Sequence, residues 1–179
     1  MKLLKLFSLF FLLHFTILVN AQITDHHFNN LKFKHYTTTQ GLSQGSVIDI
    51  HQDETGYIWF GTREGLNKFD GTKFETFRHN SEESESLSDS WVTCIFQDSK
   101  ENLWVGTKKG LNQYNPELEN FHPSQTWTDQ IELNKSEIWG ITQYKESLLL
   151  VSTSSGLAII NLNNKKTEIL TRCAFRDIM

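Results

Sequence analysis

The chain has 179 residues, 17 basic and 21 acidic side chains, and a formal net charge of −4 at pH 7. Net acidity argues against nucleic acid or an anionic membrane surface as the partner. Its two cysteines, Cys94 and Cys173, have no CxxC or CxH spacing and so supply no zinc or redox motif.

In chain order, the first element is a targeting segment. Lys2 and Lys5 form a basic start, residues 6–19 are almost wholly apolar, and Val19-Asn20-Ala21 stands at the cleavage-determining positions. This layout predicts a secretory signal peptide over 1–21, with Gln22 as the mature start. The run is shorter than the ~20 residues a bilayer span needs, and no cysteine follows it for lipidation. Two lysines and no acid leave with the signal, taking the net charge to about −6. The mature chain is expected to be exported and soluble, opening with a lead-in over 22–30.

Residues 31–37 then resemble the outer strand of a sheet, with Phe33 and Tyr36 spaced like Phe74 and Phe77 further on. After it the sequence repeats. Asp53 to Gly71 (DETGYIWFGTREGLNKFDG) returns about 45 residues later as Asp98 to Pro116 (DSKENLWVGTKKGLNQYNP). A weaker third copy keeps the spacing. Leu42-Ser43, Leu87-Ser88 and Leu133-Asn134 correspond, as do Trp59-Phe60-Gly61-Thr62, Trp104-Val105-Gly106-Thr107 and Leu150-Val151-Ser152-Thr153. Gly65-Leu66, Gly110-Leu111 and Gly156-Leu157 complete the register.

Within each copy the apolar pattern alternates over five or six residues between turn signals, which predicts strands. In the first copy these fall at 47–52, 57–62, 66–69 and 73–77, and outside the signal no segment shows a helical period. The first turn pairs Asp53 with Gly56, the second holds Gly65, and the third is Asp70-Gly71, a strong hairpin signal. A period in the 40s with four antiparallel strands per copy predicts β-propeller blades. The units are set at 42–78, 87–122 and 133–171, followed by 172–179. Trp59 and Trp104 are expected to fill the wedge between sheets, each contributing on the order of 3 kcal/mol on burial. Leu150 in the third copy buries less, so that blade is expected to be less firmly held.

The two strong copies and the opening FKHYTTTQGLSQGSV resemble the two-component regulator propeller repeat. The resemblance implies an all-β chain of about three four-stranded blades from an incomplete, seven-bladed propeller. It further implies the N-terminal part of the periplasmic sensor of a hybrid two-component histidine kinase, anchored in the inner membrane in its parent form. The partners so implied are the remaining blades, the downstream kinase domains, a second copy in a homodimer, and an oligosaccharide ligand. About 158 residues follow the signal, whereas propellers close with roughly four to eight blades. The chain is therefore expected to be a fragment.

Candidate chemistry is sparse. Asp53-x-x-Gly56-x-x-Trp59 has Asp-box spacing, a turn-shaping device, so no catalytic role is assigned to Asp53 or Asp98. The acidic run of 81–90 has neither the glycine turn nor the alternating acids of a calcium loop, and the histidines form no ligand pattern. No catalytic residue, metal or cofactor is expected. In a propeller the second turn of each blade and the loops between blades share one face. That face would carry Arg63, Trp91, Lys108, Lys109 and Trp127, with loops 38–46, 80–90 and 124–135. Aromatic planes there suit sugar rings, although Trp91 and Trp139 adjoin first strands and are expected mainly to pack. Beside the sensor reading stand two others: a free exported module that self-associates, and an enzyme on a propeller scaffold. An open blade face and edge are expected to promote association or aggregation and poor solubility of residues 22–179 expressed alone.

Overall fold

The computed structural model describes residues 32–124 and 131–170. The signal peptide, the lead-in, Trp127, Cys173 and the end over 172–179 lie outside the described residues. The chain forms one unit up to His35 and a second from Tyr36 onward, and all the sheets belong to the second.

Among the described residues there are three four-stranded antiparallel sheets, each a meander in chain order. Blade 1 comprises β1 (Val47–Gln52), β2 (Ile58–Thr62), β3 (Gly65–Phe69) and β4 (Phe74–Phe77). Blade 2 comprises β5 (Val92–Gln97), β6 (Leu103–Thr107), β7 (Gly110–Asn115) and β8 (Asn120–Pro123). Blade 3 comprises β9 (Ile138–Tyr144), β10 (Leu148–Thr153), β11 (Gly156–Asn161) and β12 (Thr167–Leu170). First strands meet first strands, β1 against β5 and β5 against β9. The pairing of each first strand is interrupted by a register shift, at Ile48, Thr93 and Trp139. A bulge of this kind adds local twist.

The strand pattern follows the alternation in the sequence, and two features depart from it. Residues 32–37 take no strand assignment. An outer strand persists only where a neighbour's amides and carbonyls pair with it along its length. Tyr36 instead packs edge-on against Phe69 and Phe74, with ring centroids 4.8 and 5.6 Å away. The second departure is helical: a 3-10 turn at Thr38–Gln40 and a short α1 at Ile131–Lys135. Neither is long enough to display a 3.6-residue period. Thr37 and Gln40 close the first in a capping box, with Gly41 at φ 108° ending it.

The core lies in the seams between blades. At the first seam Trp59 and Leu66 of blade 1 meet Val92, Ile95, Leu103, Val105, Tyr114 and Phe121 of blade 2. At the second, Trp104 and Leu111 meet Ile138, Leu149, Val151, Ala158 and Ile160, with Leu133 above them. Both indoles are fully buried. Leu150, which stands where the indoles stand, is partly exposed.

Two glycines let neighbouring blades approach. A Cβ on Gly61 would lie 2.7 Å from Val92 Cγ1, and one on Gly106 would lie 2.5 Å from Cys94 Sγ and 2.8 Å from Ile138 Cγ2. Blade 3 has Ser152 at this position, opposite Gly140, and the serine hydroxyl donates to the Gly140 carbonyl at 3.3 Å. The bulk has moved across the strand pair. Gly106→Val should therefore wedge blades 2 and 3 apart and cost about 1–3 kcal/mol in urea unfolding. Gly45→Ala, with no heavy atom within 4 Å of the new Cβ, should leave the midpoint in place. Cys94, packed into the second seam, is a free thiol whose pKa burial pushes up to about 11.

The turn from β3 to β4 supplies a pH-sensitive carboxylate. Asp70 Oδ1 accepts from the Thr72 hydroxyl at 2.6 Å and from the Thr72 and Lys73 amides at 2.8 Å each. These bonds lower its pKa from 3.8 to about 2. The folded value lies below the unfolded one, so this contribution is full above pH 3.8 and is lost as pH falls towards 2. Carbon-13 titration should place the Asp70 carboxyl near the lower value, and Asp70→Asn should flatten the acid limb of stability over that window. An Asp70 midpoint near 4 would contradict this turn geometry.

Candidate ligand-binding rim

The rim is built on the turns joining the second and third strands of each blade. In blade 1 Thr62 Oγ1 donates to the Gly65 carbonyl at 2.9 Å, accepts from the Glu64 amide at 3.1 Å and meets Ser43 Oγ at 2.8 Å. Asn67, fully buried, accepts from the Ser43 amide and donates to Ser43 Oγ, both at 2.8 Å, and donates to the Phe60 carbonyl at 3.1 Å. Gly65 has φ 137°, and a Cβ there would strike the Phe77 carbonyl at 2.6 Å. Blade 2 repeats the clamp with Ser88, Thr107 and Asn112 at 2.9–3.1 Å. In blade 3 Thr153 keeps its bond to Gly156, while Ala158 replaces the asparagine.

These clamps hold up the side chains singled out from the sequence. The Arg63 guanidinium lies 4.7 Å from the Trp91 ring centroid, and the Lys108 ammonium lies 4.5 Å from it. The Lys108 amide also donates to the Trp91 carbonyl at 3.0 Å. Lys108 pairs with Glu137 at 3.0 Å, and Lys109 pairs with Asp89 at 3.3 Å. Asp89 also accepts from the Trp91 amide at 2.8 Å. The structure thus sets Arg63 and Lys108 against the half-buried Trp91 indole and pairs Lys109 with Asp89, while Trp127 lies outside the described residues. Trp139 stands apart, 61% exposed, beside a hollow of about 290 Å³ lined by Ser152, Ser154, Leu157 and Leu170.

The acidic loop is laced internally. Its backbone is tied by Glu83 to Asn80 and by Ser86 to Glu83, and Glu85 accepts from Asn120 at 2.6 Å. Among the described residues no group of three or more His, Cys, Asp or Glu side chains is placed to hold a metal.

On the opposite rim Asp53 and Asp98 shape the turns after the first strands. Asp53 Oδ1 accepts from the Thr55 and Tyr57 amides at 3.0 Å, and its Oδ2 accepts the Trp59 indole N–H at 2.7 Å. Asp98 does the same for Lys100, Asn102 and Trp104, the last at 2.9 Å. Their carboxylates are consumed by structure.

Each seam is also keyed near this rim. Lys68 on β3 meets Glu119 of the next blade at 3.0 Å and Tyr114 Oη at 3.3 Å. Burial opposes its charge, but those two partners outweigh it and raise its pKa. At the second seam Gln113, the equivalent of Lys68, accepts from Lys165 at 3.1 Å. Burial lowers the pKa of Lys165, partly offset by Asp98. A crevice of about 480 Å³ opens over the first seam beside Tyr57, Lys68 and Glu119. The Ser–Thr–Asn clamp and the Asp–Trp bond were not anticipated from the sequence. Their signal was present as Ser43/Ser88, Thr62/Thr107 and Asn67/Asn112 at a constant period.

Consecutive four-stranded meanders joined through their first strands define a β-propeller architecture. Residues 41–64 and 86–109 each match the family model described as two component regulator propeller, so the chain carries this repeat in blades 1 and 2. Over 60 residues it is 57% identical to histidine kinase P4 of Formosa agariphila, a stretch that is 34% of this chain and 4% of the kinase. The fold is similar to that of an extracellular domain from B. thetaiotaomicron described as part of a hybrid two-component system. There the TM-score is 0.61 at 19% identity, over 75% of this chain and 19% of the other. PorZ, a surface component of the type-IX secretion system of Porphyromonas gingivalis, gives a TM-score of 0.50 at 17% identity, over 71% of this chain and 19% of PorZ. At these identities the solved structures speak to the fold alone. The chain spans only a small part of the length of each of these relatives. No helix among the described residues is long and apolar enough to cross a membrane.

Proposed function

We propose that this chain is the blade-forming part of a periplasmic sensor that recognises an oligosaccharide and relays its presence to a histidine kinase. The observation that carries this reading is the pair of two-component regulator propeller repeats in successive blades, beside 57% identity to a histidine kinase over 60 residues. The chain's own part is recognition and assembly. Arg63, Trp91, Lys108 and Lys109 are the ligand candidates, and further blades, kinase domains and a second copy of the parent protein are the partners.

The open apolar surface supports the need for neighbours. Ile50 is 60% exposed on β1 and Trp139 is 61% exposed on β9, at the two outer faces of the three-blade stack. These faces also suit the self-association reading, which predicts a defined oligomer in light scattering.

The test of the sensor reading is an array of neutral and acidic glycans probed with the chain, joined to transcript profiles of a strain disrupted at this gene. Retention on one glycan class, and loss of the transcriptional response to that glycan, are expected. No retention together with unchanged responses to every glycan would overturn it.

A further inference from the structure

Arg63 and Lys108 are equivalent residues in the turns of blades 1 and 2, and Trp91 and Glu137 each precede the first strand of the following blade. At the second seam the cation meets a carboxylate, Lys108 to Glu137 at 3.0 Å. At the first seam the matching contact is Arg63 on the neutral ring of Trp91, at 4.7 Å. The repeat has replaced an anion by an indole at one seam only. Arg63 is exposed, and no ion pair is formed by it among the described residues.

Its position is nonetheless set. The Arg63 amide donates to Gln44 at 3.3 Å, and the turn on both sides is pinned by buried Thr62. Lys108, its ammonium paired with Glu137, braces the same indole from 4.5 Å and leaves Arg63 as the cation there without a carboxylate partner among the described residues. A guanidinium resting on an aromatic face keeps its fork of edge donors for a planar anion, and a carboxylate matches that fork with two charge-assisted bonds. We propose that Arg63, propped on Trp91, recognises a carboxylate carried on a saccharide. This rests on the oligosaccharide reading above and narrows it to acidic sugars.

The test uses the full chain and two probes that differ only in the acidic group: oligogalacturonate and its carboxyl-reduced neutral counterpart. Binding is followed by calorimetry and by the Trp91 indole N–H resonance, assigned with Trp91→Phe. The acidic probe should bind at least tenfold more tightly and weaken with added salt. Arg63→Gln should abolish the preference and Arg63→Lys should restore part of it. Acetate, a carboxylate without a sugar, should shift the resonance only at far higher concentration. Equal binding of the two oligosaccharides, or a preference surviving Arg63→Gln, overturns the inference and leaves the broader saccharide reading standing. Acetate binding as tightly as the oligosaccharide overturns its saccharide part. Failure of both oligosaccharides to bind overturns it altogether, and the glycan array then decides the broader reading independently.

Discussion

Replacing Trp104 by alanine should destabilise the chain by about 3–5 kcal/mol, measured as the urea midpoint at low protein concentration. The indole is fully buried between blades 2 and 3 and packs with Leu111, Leu133, Ile138 and Val151. Its removal leaves a cavity that two sheets must collapse to fill. It also strips Asp98 Oδ2 of one of its two donors, the indole N–H at 2.9 Å, leaving the Asn102 side-chain amide at 2.9 Å. Trp104→Phe separates the two effects. Phenylalanine keeps most of the apolar volume and loses the donor, so about 1–3 kcal/mol is expected. If both variants cost the same, the hydrogen bond rather than the packing holds this seam.

The second large effect belongs to Asn112. It is fully buried and accepts from the Ser88 amide at 2.9 Å, while its own amide donates to Ser88 Oγ at 3.0 Å and to the Val105 carbonyl at 3.1 Å. Asn112→Ala leaves several of those groups without partners in a largely buried site. A loss of about 2–4 kcal/mol is expected, since each orphaned group costs about 1–3 kcal/mol and some relax. The 86–91 connection should also loosen, so hydrogen exchange at Ser88 should speed up more than at β6. Uniform acceleration across blade 2 would instead place the clamp in global stability. Blade 3 carries Ala158 at the same point, which makes it the natural comparison within one molecule.

Much of this was legible beforehand because the repeat samples one geometry more than once. Alternation located the sheet strands, and Asp70-Gly71 located a hairpin, since both signals are local. Tyr36 was not legible in its observed role, because the strand expected around it depends on a neighbour distant in sequence. The α1 turn escaped because one helical turn has no period. The rim was half legible. Turn position predicted that Arg63, Lys108 and Lys109 would share a face with Trp91, but the contact of two cations with one ring is a tertiary fact. The clamp was visible as a constant Ser, Thr and Asn. It went unread because each residue is also an ordinary turn or strand residue when considered singly.

The keyed seams bear on how such a gene can change. Tandem repeats invite unequal crossing-over, which deletes or duplicates whole blades. Deleting blade 2 would bring Lys68 of blade 1 against Lys165 of blade 3, two ammonium groups at the point where Lys68 now meets Glu119. Duplicating blade 2 would set Gln113 against a second Glu119 and leave the new seam without its lysine. Divergence at two positions per blade is therefore enough to make the order of the units heritable.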